Sequence, residues 1–439
     1  MKTAKLSLVA IIATVGFSSH MYGADTLAEA FANGKFNGEL KAWYWDKTED
    51  NSNGNYNLTN FAMELGYMTA PFYGFSAKAT FQGNASPFAE DDAKVGYVNE
   101  EYASGAVLSE IYLAYSIGKT NIKVGRQYIN TPLISGNYAR IFKESFEGVS
   151  ISNTDVPDTT IFANYIQKFQ GRTSNISGDG IGDAPTFNKR IVLGGVSALA
   201  YEFEDAYALG VINKSIPNLT LTAQYLQVTD VVMGSLKDDI SLYYTEANYI
   251  LPMNSFKLGF DVNYRGSRTG NHLDARNYEG DMLGLRASVL ELNGFGAAFA
   301  FTTVSNNDAV VMGLGNGPSS YTGLPIRGPY AYSCFAGMDS YSLELFYNFA
   351  KVGISGLQAM AQYINANQDA PSATAGSTAA HTHADYEGYA GSLTYAIPAI
   401  KGLTTQLLYV TLEREATNAA KVKTTTDTDE LWVKINYKF

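Results

Sequence analysis

Arg140, Lys143 and Glu144 lie within five residues of one another at the end of the segment Thr131-Pro-Leu-Ile-Ser-Gly-Asn-Tyr-Ala-Arg-Ile-Phe-Lys-Glu144. Two cations beside a carboxylate suit electrostatic sorting: at the narrow point of a wet passage they would set opposite charges along the path of a small solute. Bond-breaking chemistry finds no comparable arrangement. His272, His381 and His383 fall in expected outer loops, outside any strand pattern, whereas a serine hydrolase needs a histidine held rigidly by the scaffold. No enzymatic activity is expected. His381-Thr-His383 offers half a metal site, with Asp385 the one obvious further ligand. Ser177-Gly-Asp-Gly-Ile-Gly-Asp183 looks like a calcium turn through Asp179 and Asp183 but lacks the acidic ligands that should follow. Both read as solvated loops, so neither metal nor cofactor is expected. Cys334 stands alone, which excludes an intrachain disulfide framework.

The elements that must position these residues alternate with period two. In the last nine residues Leu431, Val433, Ile435, Tyr437 and Phe439 share one face, and Trp432, Lys434, Asn436 and Lys438 the other. That is a wall strand of a transmembrane β-barrel, apolar toward lipid and wet toward a lumen, and its terminal aromatic is the feature that outer-membrane assembly machinery recognises. The same pattern recurs. Phe36, Leu40, Ala42 and Tyr44 oppose Asn37, Glu39, Lys41, Trp43 and Trp45; Phe61, Met63, Leu65 and Tyr67 oppose Ala62, Glu64 and Gly66. Leu258, Phe260, Val262 and Tyr264 oppose Lys257, Asp261, Asn263 and Arg265, and Leu283, Leu285, Ala287 and Val289 oppose Gly284, Arg286 and Ser288. Charge falls opposite the hydrophobes each time.

Connections alternate between tight and long. Tight ones fall at 71–74, 118–121, 153–158, 215–218, 251–255, 291–294, 350–356 and 397–402, all rich in Gly, Pro, Asn or Asp. Long ones fall near 47–57, 83–107, 131–144, 169–205, 230–238, 267–278, 305–338, 366–385 and 414–428. Eight tight and nine long links imply eighteen strands, an even number as single-chain bacterial barrels require, with both termini on the tight-turn side. At nine to eleven residues per strand, loops would carry more than half the chain. Arg190 to Phe203 could be a further strand; parity places it in an outer loop, and sixteen strands is the main alternative.

Lys2 and Lys5 precede an apolar run from Leu6 to Phe17, so residues 1–24 read as a secretory leader and 25–439 as one membrane domain. The formal net charge of −11 argues against a nucleic-acid partner. With 46% hydrophobic residues the chain is not disordered, and 31 Tyr and 23 Phe beside only 17% charged residues suit aromatic belts at two membrane interfaces.

Val124-Gly125-Arg126-Gln127, Thr131-Pro132, Arg140 and Phe146-Glu147-Gly148, with Thr26-Leu-Ala-Glu-Ala-Phe31 at the start, resemble the OprD-like outer-membrane porins. The resemblance implies an all-β, eighteen-stranded, often homotrimeric channel for small hydrophilic solutes and ions in outer-membrane lipid. It also implies an inward third loop and a column of basic residues guiding carboxylate-bearing solutes such as amino acids. On that pattern Arg140 maps to the constriction arginine, while Arg265, Arg286 and Lys78 are wall positions on expected lumen faces. Arg126 is in phase with Ile122 and Val124 and faces outward unless a bulge intervenes. The last hundred residues depart from the pattern: their inward positions are Ser342, Glu344, Asn348, Gln358, Gln362, Thr394 and Gln406, where the family often continues the basic column. An acidic mature chain leaves cation preference open. The competing reading is a surface barrel whose long loops bind a partner, with the channel incidental.

Overall fold

The computed structural model describes residues 23–50, 55–178, 180–196, 200–326, 334–369, 381–418 and 421–439. The apolar run of the expected leader, Asp179 of the glycine-rich turn and the Pro371–Ala380 stretch lie outside the described residues.

Eighteen antiparallel strands form one closed wall. In chain order they are β1 (Lys35–Glu49), β2 (Tyr56–Met68), β3 (Phe75–Ala85), β4 (Gly105–Ile117), β5 (Thr120–Gln127) and β6 (Ser145–Asn153). Then follow β7 (Thr159–Gln170), β8 (Ala206–Asn213), β9 (Leu219–Met233), β10 (Leu236–Pro252), β11 (Lys257–Thr269) and β12 (Asp281–Leu292). The last six are β13 (Phe295–Val304), β14 (Met338–Asn348), β15 (Leu357–Gln368), β16 (His381–Ala396), β17 (Leu403–Asn418) and β18 (Lys423–Lys438). β1 pairs with β18 from Glu39↔Lys438 to Glu49↔Thr428, which removes both sheet edges. β7 pairs directly with β8, and Arg190–Ile191 and Tyr201–Glu202 are two-residue fragments inside the loop between them. Among the described residues no nineteenth wall strand stands between them.

Alternation sorts the faces as hydropathy demands. Leu40, Phe61, Leu113, Phe260 and Ile435 are exposed on the lipid side, while Lys41, Asn60, Gln82, Asn263 and Lys434 are buried inside. Aromatics form two bands. One sets tyrosine hydroxyls on outer-surface carboxylates, as in Tyr44 to Asp46, Tyr165 to Asp205, Tyr264 to Asp281 and Tyr409 to Asp429. The other gathers rings by the short turns, Phe36 with Tyr67 and Phe75 with Tyr115. Ahead of β1 a short helix, Leu27–Ala32, is closed by a capping box between Thr26 and Glu29.

Three expectations need correction. The connections at 230–238 and 414–428 are not long loops: β9 and β10 continue to Met233 and Leu236, and β17 and β18 to Asn418 and Lys423. His381 and His383 stand on β16 rather than in a loop. Strands also run up to 17 residues, so loops hold a smaller share of the chain than expected. The reason is common to all three. A hydrogen-bonded ladder that leaves the bilayer gains by continuing, because pairing satisfies backbone groups that would otherwise need other partners.

Candidate pore constriction

The loops fold into the lumen and bond to one another there. Leu314 N–H donates to Leu133 O, Ser135 N–H to Leu314 O and Gly194 N–H to Gly313 O, joining the β5–β6, β7–β8 and β13–β14 loops through backbone. Such close approach needs glycine. A Cβ on Gly313 or Gly315 would lie 2.6 Å from Leu133 O or 2.4 Å from Ser135 O, and Gly315 has a φ of +80°. Apolar side chains seal the loops to the wall in two clusters. Leu133, Ile134, Leu193 and Leu314 pack against Leu226, Ile240 and Leu242, while Ile141, Leu324 and Ile326 pack against Trp43, Trp432 and Val410.

Arg140 is only 5% exposed and does not hang free in the lumen. Its guanidinium donates to Glu101 at 2.7 Å and to Ile326 O at 3.2 Å, pairs with Glu100 at 3.2 Å, and lies 4.7 Å above the Trp432 ring. Burial works against that charge, but Glu101 and Glu100 outweigh it and hold the group above its ordinary range. Lys143 reaches the wall at Glu64 (2.7 Å) and Glu39 (3.3 Å), and these partners likewise raise it against burial. Glu144 points into the loop packing: it is fully buried and accepts from Asn316 N–H at 2.9 Å, Asn316 Nδ2 at 2.5 Å and Asn137 N–H at 2.9 Å.

On the wall, Lys78 pairs with Glu110 at 2.5 Å and Arg286 with Asp261 at 2.8 Å. Arg286 also stacks 4.5 Å from the Tyr321 ring, whose hydroxyl donates to Glu246. Arg265 donates to Met312 O and Ser319 O, so it tethers the β13–β14 loop. Arg126 stands apart. Its register partner is Ile111, an exposed outward residue, and the β4–β5 pairing runs without a bulge, so Arg126 remains on the outer face with Glu147 and Lys168. Bulges interrupt the neighbouring pairs β3–β4 and β6–β7 instead.

Beneath residues 138–143 the wall leaves a polar recess of about 280 Å³, lined by Lys41, Lys78, Lys143 and Lys438 with Glu39, Glu64, Tyr128 and Tyr138. Sequence reasoning put Glu39, Lys41 and Glu64 on inward faces without singling them out. It missed Glu100 and Glu101 altogether, since a loop has no periodicity to show where a side chain points. Above the recess Lys434 Nζ lies 4.1 Å from the rings of both Trp43 and Trp432 and donates to Ala139 O at 2.8 Å.

A family model described as outer membrane porin, OprD family, matches residues 92–439. Among solved structures the chain is similar to Acinetobacter baumannii OccAB2, with 18% identity, a TM-score of 0.75, and 94% of this chain and 99% of that chain covered. It is similar as well to Pseudomonas aeruginosa OpdQ, at 16% identity and a TM-score of 0.71 over 94% of this chain and 99% of that one. A BenF-like porin from Pseudomonas fluorescens Pf-5 aligns at 15% identity and a TM-score of 0.74, over 93% and 99%. No curated protein matches by sequence.

Proposed function

The chain belongs to the OprD family of outer-membrane channels for small solutes, and from that premise we propose that its constriction favours carboxylate-bearing molecules such as amino acids. The charge count at the recess carries this reading. Lys41, Lys78, Lys143 and Lys438 face Glu39, Glu64 and Glu110, so among the groups lining the recess and their ion-pair partners cations exceed carboxylates by one. Lys123 adds a further cation on the same side, over the Tyr112 ring. Loop carboxylates on the outer surface matter little here, because their fields decay over about 8 Å at physiological salt.

Across the lumen Glu246, Asp261 and Glu344 accompany Arg286 and Arg265. A solute bearing both charges would therefore turn its carboxylate toward β1–β5 and its cationic end toward β10–β14. Solutes move down their gradient through the wet lumen, and the segment over the recess sorts them by size and charge. Arg140, Lys143, Lys78, Arg265 and Arg286 belong to this proposal. Glu144 enters it as the anchor of the loop, and Arg126 is left out because it faces the other way. The proposal also includes residues 1–24 as a cleaved leader and Phe439 as the assembly signal, from their sequence pattern, and a homotrimer, from the family resemblance.

Purified protein in a planar bilayer under a KCl gradient tests it. Stable channel openings with a reversal potential displaced toward chloride are expected, and Lys78→Gln and Lys123→Gln should each move that potential toward potassium. Cation selectivity in the parent protein would overturn the carboxylate preference, and a silent bilayer would overturn the channel in favour of a partner-binding surface barrel.

A further inference from the structure

Glu101 belongs to the β3–β4 loop, yet it grips the third loop at two points. Its carboxylate, fully buried, accepts from Arg140 Nη1 at 2.7 Å with one oxygen and from Ile141 N–H at 3.2 Å with the other. The carbonyl of Ile141 in turn accepts from Lys41 Nζ at 3.0 Å. One residue of the narrow segment is thus held from both sides, by a wall lysine and by a carboxylate from a different loop. The β3–β4 loop is itself anchored. Tyr97 is buried edge-on against Tyr56 at 5.1 Å, Asn84 Nδ2 donates to Ala103 O, and Arg172 Nε donates to Asn99 O at 2.9 Å.

We propose that Glu101 is a specificity-determining positioning residue of the channel, fixing residues 139–144 above the recess and offsetting the Arg140 charge. The proposal rests on the constriction reading given above. The charged groups facing Glu101 are Arg140 from the third loop, Lys41 from β1, Lys434 from β18 and Arg172 from the β7–β8 loop, while Glu100 and Glu430 join it around Arg140. Burial pushes the Glu101 carboxyl up to about 7 against the pull of Arg140. As pH falls through that value the carboxyl takes up a proton, the lumen gains one positive charge, and anions are favoured. As pH rises the opposite follows.

Reversal potentials in a KCl gradient, recorded over about pH 6 to about 8, test this. The parent channel should shift toward chloride as the medium is acidified. Glu101→Gln should sit nearer the chloride potential than the parent at alkaline pH and show a flatter profile than the parent, and Glu101→Asp should restore part of the lost pH dependence. A heat-shift gel checks that each barrel has assembled. Where Glu101→Gln does not assemble, Arg140→Gln carries the test: it leaves Glu101 buried without its principal partner, so its carboxyl stays protonated and a flatter profile than the parent's is again expected. A parental potential and pH profile in the assembled variant overturns the role of Glu101, while Lys78→Gln still moves selectivity. Were Lys78→Gln silent as well, the constriction reading would fail along with it.

Discussion

The ammonium of Lys434 lies 4.1 Å from the ring of Trp432, two residues back on the same inward face of β18. Trp43 and Trp45 complete the surround from β1, at 4.1 and 5.0 Å, and Trp45 meets Trp432 edge-on with centroids 4.0 Å apart. All three tryptophans of the chain therefore sit on the strand pair that closes the barrel. Because Lys434 also donates to Ala139 O, the seam and the third loop are joined by one cation.

Trp432→Ala should accordingly weaken closure and loop placement together. Truncating a buried tryptophan costs about 3–5 kcal/mol, and Trp432 is 1% exposed. A lower temperature for the heat-shift transition is expected, with faster amide exchange around Ala139 and Ile141. Unchanged exchange there would show that the loop does not depend on the seam.

Glu144 and Asn316 are 172 residues apart and joined by two hydrogen bonds. Glu144→Ala leaves both Asn316 donors unpaired in a buried place, at about 1–3 kcal/mol each. Noisier single-channel openings and a protease cut within residues 131–144 are the expected results, with ion selectivity nearly unaltered because Glu144 does not face the recess. A large change in selectivity would contradict that placement.

Gly315→Ala puts a methyl group 2.4 Å from Ser135 O at a φ of +80°. Backbone strain of about 1–3 kcal/mol should push the β13–β14 loop away from the third loop and raise mean conductance. Gly353→Ala has a comparable φ of +92° but open space around its Cβ, and it lies in a short turn. Conductance should be unaffected by that control. Equal effects from the two would refute the contact.

Arg126→Ala should leave reversal potential and conductance as they are, since Arg126 shares the outer face with Ile111 and Val124. Arg286→Ala should not: its loss frees Asp261 toward the lumen and ought to move the potential toward potassium. The same bilayer recording reads both. A shift in the Arg126 variant would mean that the β5 face has been misassigned.

The eighteen strands, their inward and outward faces and the eight tight turns were legible in the chain because lipid imposes a local rule: every second residue of a spanning strand must be apolar, and turns require particular residue types. Lys78, Arg265 and Arg286 on lumen faces followed from that rule, and so did the outward phase of Arg126. Strand ends above the bilayer were not legible, since no hydropathy boundary marks where a ladder stops in water. The loops obey no period at all. Tertiary structure alone brought Glu101 to Arg140, Asn316 to Glu144 and Lys434 to Ala139, because those contacts join segments that only a closed cylinder makes neighbours, and the charge a solute meets depends on which carboxylate has already claimed each cation.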